Sequence, residues 1–318
     1  MYTTHCVGID VSKAKFDYAF LSDQQVRYQG ICANDPRDIT EWIQKLETHG
    51  VRKDTPCVLE STGIYHVPVS LLLRDAGYTV HCINPILTRK YQQSSIRGAK
   101  TDAIDARRLA EIGIIESGLP IFTATRAQLY QRRLMSTLAT LEREYQSLKR
   151  SFGALQESAD ALGVTESIPG KALVTEMGRT MRSLESEIIA RAPTHARILA
   201  ETPGVSLRAA AILLATLEGK TFAHRDQLTA FVGLDIRVRQ SGTYRGRGKL
   251  SKRGDGYLRK VLHQIAWGLK RYDPYYQALY ARLRAEKRHY TECLVIIARK
   301  FLRRLHATYF RCPQTAFA

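Results

Sequence analysis

Four acids in this 318-residue chain are spaced so that they can do metal chemistry. Asp10 sits within the apolar run CVGIDVS, residues 6–12. Its neighbours Val7, Ile9 and Val11 alternate with Gly8 and Asp10, so on a strand the acid shares a face with glycine and not with the core side chains. Glu60 ends a second apolar run, PCVLEST, in the same way. Asp102 and Asp105 lie three apart in TDAIDARRLAEIGII, which sets both carboxylates on one face at the start of a helix. Four like charges converging on one point repel strongly unless a cation sits among them. Two Mg²⁺ ions roughly 4 Å apart would neutralise them and clamp an in-line phosphoryl transfer. Taken singly, each acid has a plainer account: a strand-end Asp is ordinarily a turn or cap residue, and Asp102 can simply stabilise the first turn of its helix. Lys100, Arg107 and Arg108 flank the acid pair and can meet substrate phosphates, although a solvated helix face also explains the two arginines.

A second concentration of chemistry lies in RVRQSGTYRGRGKLSKRGDGYLRK, residues 237–260. Its glycines allow close approach of backbone to a ligand. Arg245, Arg247, Lys249, Lys252, Arg253, Arg259 and Lys260 supply phosphate contacts. The segment is either a disordered basic patch or a loop shaped around a polyanion. Tyr244 and Tyr257 can stack or pack. Ser241, at its leading edge, has no His-Asp dyad beside it in sequence, and a serine in a polar loop is usually a turn residue.

Positioning the acids requires a sheet. CVGIDVS, KFDYAFLS (15–22) and QVRYQGICA (25–33) are three β-rich runs in immediate succession, compatible with an antiparallel meander. DPRDITEWIQKLETHG (35–50) has helix-start chemistry at Asp35-Pro36, helical apolar spacing and a terminal glycine. A strand at 56–62, a helix at 64–77 around Pro68 and a strand at 78–85 follow. The order βββαβαβ predicts an RNase H-like fold and not a Rossmann fold, which would start βαβ with a glycine fingerprint. Residues 101–115 read as a helix, and 125–160 and 171–190 as two long helices suited to a coiled-coil arm. LAETPGVSLRAAAILLATLEG (199–219) is a helical hairpin whose turn can bind DNA phosphates or serve as an ordinary hairpin. Tyr272, Tyr276 and Tyr280 fit helix packing better than base stacking.

The composition narrows the partners. The formal net charge is +18, which favours a polyanion, most simply nucleic acid, with an anionic membrane surface as the competing target. The run AAAILLATL (209–217) falls far short of the roughly 20 residues that span a bilayer. The N-terminus shows no basic leader followed by an apolar stretch, so export is not expected. Six cysteines are scattered without a CxxC pair; zinc is not expected, and a reducing cytoplasm is the simplest compartment.

VGIDVSKAKFDYAF, VLESTGIYHVPVSLLL and KTDAIDARRLAEI together resemble the N-terminal domain of the DEDD-type bacterial insertion-sequence transposases of the one-ten family. TPGVSLRAAAILLATL and FAHRDQLTAFVGLDIRVRQSGTYRGRGKLSKRGDGYLRKVLHQIAW are similar to that family's C-terminal transposase domain. The resemblance implies a RuvC-like α/β domain over 1–120, a helical coiled-coil insert over 121–194 and a mainly helical C-terminal transposase domain over 195–318. It implies Asp10, Glu60, Asp102 and Asp105 as Mg²⁺ ligands and Ser241 as the nucleophile that attacks the scissile phosphate. It further implies an RNA-guided recombinase that excises and inserts its element. The implied partners are donor and target double-stranded DNA and a structured guide, the bridge RNA. A homotetramer, built as a dimer of dimers, and a place at the bacterial nucleoid are implied by the same source. Generic DNA transposition by water-activated hydrolysis, leaving free 3′-hydroxyl ends without attached protein, is also open on this fold, and two rival functions stand beside it. The first is a RuvC-like structure-specific nuclease or Holliday-junction resolvase that activates water, with Ser241 a bystander. The second is a non-catalytic nucleic-acid-binding protein on a decayed nuclease fold.

Overall fold

A computed structural model describes residues 4–61, 63–92, 102–164, 170–237, 240–241, 244–245 and 248–310. They fall into two compact units, one up to Ala124 and one from Thr125 onward. Lys100 and Arg247 lie outside the described residues.

The first unit is built on the predicted meander. Strands β1 (His5–Val11), β2 (Lys15–Ser22) and β3 (Gln25–Ala33) pair antiparallel in succession. Strands β4 (Cys57–Glu60) and β5 (Val80–Ile83) then add parallel to β1, completing a sheet of order β3-β2-β1-β4-β5. Helix α1 (Pro36–Thr48) connects β3 to β4, and helix α2 (His66–Asp75) connects β4 to β5. The start of α1 has the expected chemistry: Asp35 accepts from the backbone N–H groups of Arg37 and Asp38, and Pro36 fills the first turn, where its missing N–H costs nothing. Pro68 falls in the first turn of α2 for the same reason and leaves the helix intact. Helices α3 (Pro85–Gln92) and α4 (Asp102–Ile115) complete the unit, which has the RNase H-like arrangement with β1 at its centre.

Both faces of the inner strands are buried, whereas strand alternation assigned core side chains to one face only. Val7, Ile9, Phe16 and Tyr18 pack under Trp42, Ile43 and Leu46 of α1 and Val69 and Leu73 of α2. On the other face, Cys6, Ala19, Leu21 and Val58 meet Ala106, Leu109, Ala110 and Ile112 of α4. Glycine permits the second contact. A Cβ at Gly8 would stand 2.0 Å from the Ala106 carbonyl oxygen and 2.4 Å from the Ala110 nitrogen. Helix α4 therefore lies directly on β1.

The second unit is mainly helical. Helices α5 (Arg126–Ala161) and α6 (Lys171–Ala190) form an antiparallel hairpin, tied by the Tyr130 hydroxyl to Glu187 at 3.2 Å and by Phe152 against Gly170. Helices α7 (His195–Ala200) and α8 (Leu207–Leu217) follow, then α9 (Arg225–Val232). Ser206 caps α8, and the turn before it presses Gly204 against Gly268 of α10 (Gly256–Tyr272). That turn is engaged in packing, as an ordinary helical hairpin. Helices α11 (Pro274–Ala285) and α12 (Tyr290–Tyr309) close the bundle, whose core includes Ile212, Leu213, Leu262, Ile265, Leu294 and Ile297. Tyr276 is fully buried, which supports packing over stacking for that position. No described helix is long and apolar enough to cross a membrane.

Candidate metal centre and basic ribbon

The elements of the first unit bring its four acids toward one place. Asp10 stands near the end of β1 and pairs across the strands with Asp17 of β2. The parallel register joins Gly8 to Val58 and Ile9 to Leu59, so one further step sets Asp10 beside Glu60. Asp102 and Asp105 occupy the first turn of α4, the helix that Gly8 admits onto the same face of β1. The convergence is visible in the Asp10 carboxyl, which is raised from 3.8 to about 6. Burial is the largest cause, followed by the negative charges of Asp105, Asp102, Glu60 and Asp17.

The carboxylates are partly compensated by the protein itself. The Lys15 ammonium lies 3.0 Å from Asp17 and 3.3 Å from Asp102. The Arg108 guanidinium donates to Asp105 at 3.2 Å, and the Thr88 hydroxyl donates to Glu60 at 2.6 Å. Arg107 pairs with Glu111 at 3.0 Å. Lys15, Asp17 and Thr88 were missed in the sequence. Asp17 had a legible signal, as a lone acid within the apolar run KFDYAFLS; Lys15 and Thr88 are brought in by tertiary folding.

Among the described residues, no three carboxylate, imidazole or thiol side chains stand close enough to hold a metal ion as they are. The four acids therefore share a field without forming a closed coordination shell. Their donor set is entirely hard carboxylate oxygen, which suits Mg²⁺ and not zinc. The Asp10 carboxyl is raised first by burial and then by its acidic neighbours, a repulsion that a cation beside it would relieve. The residues fit a divalent cation on both counts.

In the second unit the basic segment is a β-ribbon. Strand β6 (Ile236–Arg237) pairs antiparallel with β9 (Lys249–Leu250), and within them β7 (Gln240–Ser241) pairs with β8 (Tyr244–Arg245). Ser241 stands opposite Tyr244 in that inner ladder. The ribbon is anchored where two glycines interlock. Gly233 and Gly254 both adopt positive φ, and a Cβ on either would stand 2.3 Å from backbone oxygen, of Arg253 or of Phe231. Arg259 clamps the joint by donating to the carbonyls of Val232 at 3.1 Å and Gly254 at 3.0 Å. Lys249, Lys252, Arg253 and Lys260 are exposed. Lys260 also pairs with Glu142, a buried acid on α5 that receives Arg208 and the Tyr257 hydroxyl as well. Tyr257 thus packs into the unit.

Comparisons with known proteins agree with this architecture. A model described as a DEDD transposase matches residues 7–161, and one described as the transposase IS116/IS110/IS902 family matches residues 196–281. A probable family 20 transposase of Pseudomonas aeruginosa is 27% identical over 243 residues, covering 66% of this chain and 70% of that protein. A 42 kDa protein of insertion element IS900 from Mycobacterium paratuberculosis is 32% identical over 155 residues, covering 46% of this chain and 38% of its own. A 43.6 kDa protein of insertion element IS110 from Streptomyces coelicolor is 29% identical over 130 residues, covering 40% of this chain. The match takes in only 32% of the Streptomyces protein, so the chain spans about a third of the length of these last two relatives.

These matches correct the expected chemistry. The model that covers the first unit is the DEDD transposase one, and transposases of this family act through RuvC-like, metal-dependent nuclease chemistry. Attack on DNA by the Ser241 hydroxyl is accordingly overturned. The hydrolytic alternative replaces it.

Proposed function

Because the chain belongs to the IS116/IS110/IS902 family of insertion-element transposases, we propose that it cuts DNA strands at the ends of a mobile element by carboxylate-dependent hydrolysis. Asp10, Glu60, Asp102 and Asp105 would hold Mg²⁺, which when bound supplies charge neutralisation and polarisation of the scissile phosphate. The chain's own contribution is positional. Strand β1 presents Asp10 rigidly, α4 presents its carboxylate pair, and Thr88 fixes one oxygen of Glu60. Water attacks phosphorus, the bond to the leaving oxygen breaks, and one strand end keeps a phosphate while the other keeps a free hydroxyl. No protein–DNA bond forms in this scheme.

Lys249, Lys252, Arg253 and Lys260 would neutralise backbone phosphates of the DNA, joined by Arg245, Arg259, Lys100 and Arg247. The same cationic surface suits a structured guide RNA. With that guide goes a homotetramer, for which the α5–α6 hairpin offers a subunit contact, and a place on the nucleoid. The observation that carries the reading is the convergence of Asp102, Asp105 and Glu60 on Asp10. The test uses the full chain, DNA carrying the element ends and either Mg²⁺ or a chelator. Cleavage that requires Mg²⁺ and disappears in Asp102→Asn is expected; equal cleavage by the variant, or in chelator, overturns the assignment. RNA recovered with the purified protein and its mass in solution check the guide and the tetramer.

A further inference from the structure

The second unit has an open cleft of about 870 Å³ between α5, the end of α8, α9 and the start of α10. Four cations line it, Arg132, Arg143, Lys220 and Lys260, against the carboxylates of Glu142 and Asp255. Those acids are already engaged. Glu142 receives Arg208, Lys260 and Tyr257, while Asp255 caps α10 by accepting from the Tyr257 N–H at 2.8 Å. Arg143 pairs with Glu144 at 3.2 Å.

Arg132 and Lys220 are different. Neither side chain makes a hydrogen bond or ion pair among the described residues, and both are half-buried. The Lys220 ammonium instead faces the Phe231 ring, 5.3 Å from its centroid. Burial holds both groups below their ordinary pKa, Arg132 lowers Lys220 further, and Glu218 offsets only part of the effect on Arg132. Two like charges kept partly out of water and near each other destabilise the free protein unless an anion enters. The space exceeds what a lone phosphate fills and falls within the range of small-ligand sites. Met135, Ala139 and Phe231 give it an apolar wall. Asp255, Gly256, Tyr257 and Lys260 line the cleft and follow the basic ribbon directly in the chain, so a strand lying along that surface can reach the mouth.

We propose that this cleft is a nucleotide subsite. It takes one nucleotide of a nucleic-acid strand, with the phosphate between Arg132 and Lys220 and the base against Met135 and Phe231. The inference rests on the nucleic-acid part of the proposed function and names a site within it.

The experiment compares the full chain with Arg132→Gln and Lys220→Met. Each substitution removes one of two repelling charges, so both variants should melt no lower than wild type. Binding of a labelled single-stranded oligonucleotide should weaken about tenfold in each, with a salt slope shallower by about one. A deoxynucleoside monophosphate should raise the melting temperature of wild type and leave both variants unmoved. Inorganic phosphate that matches the nucleotide's shift would overturn the base contact and reduce the cleft to a simple anion site. Wild-type oligonucleotide affinity and slope in both variants would overturn the subsite alone. A wild-type chain that binds no oligonucleotide would overturn the nucleic-acid reading with it.

Discussion

Asp10 occupies an environment in which its neutral form is the comfortable one. Its folded carboxyl titrates near 6 against an ordinary 3.8, chiefly through burial and then through its acidic neighbours. At pH below about 4 the group is protonated in folded and unfolded chains alike and has no effect on stability. As pH rises from about 4 to about 6, the unfolded chain ionises more readily, so stability is lost across that window and the loss is complete above it. Asp10→Asn should therefore stabilise the metal-free protein at about pH 7.5 by about 1–2 kcal/mol, after discounting for solvent screening. Urea melts in chelator check this, and the gain should vanish near pH 4 and shrink when Mg²⁺ is added. Lys15 makes the complementary case. Its ammonium reaches Asp102 from the far side of the turn between β1 and β2, so it competes with any cation for that carboxylate. Lys15→Met should tighten Mg²⁺ binding measured by calorimetry, even though the metal-free protein becomes less stable at neutral pH.

At the scale of elements, Gly8 decides whether the acids meet. Any side chain there collides with the backbone of α4, and that collision cannot be relieved by a rotamer change. Gly8→Ala should destabilise the first unit by about 3 kcal/mol and reduce Mg²⁺ affinity in whatever protein still folds, as read by thermal melts and calorimetry. Much of this unit was legible beforehand. The three strands, the Asp35-Pro36 helix start and the i,i+3 acids are local signals, and local signals survive without tertiary information. The glycine alternation on β1 was also legible, but its meaning was not, because the helix that covers it comes roughly a hundred residues later. The ribbon was harder still. Its strands are two residues each, too short for an alternating pattern, and its glycines read equally well as disorder. Lys15 and Thr88 follow from which loops the sheet brings together, and no spacing announces that. The expected role of Ser241 came from resemblance and had no support in local chemistry, which is where it failed.

For the whole molecule, charge governs the encounter with nucleic acid. A net +18 gives long-range attraction that salt screens within about 10 Å at moderate ionic strength. The ribbon concentrates part of that charge on a surface fastened at its base by Gly233, Gly254 and Arg259. Replacing Lys249, Lys252 and Arg253 with Ala should lower the salt slope of duplex DNA binding by about three and leave the melting temperature nearly unchanged, because all three side chains are exposed. An unchanged slope in binding titrations would show that these residues do not contact phosphate. Helix α5 adds reach. Its 36 residues extend about 54 Å, and its buried residues lie between Gln131 and Glu142, with Ala159 buried near its end.

The Lys15 ammonium has one more implication, for the order of events after synthesis. A newly made chain must gather several carboxylates at the end of one strand before any ion has been captured. By lending its own positive group to Asp17 and Asp102, the polypeptide can finish that step unaided and acquire magnesium afterwards. Ion binding at these carboxylates would then follow folding and need not drive it.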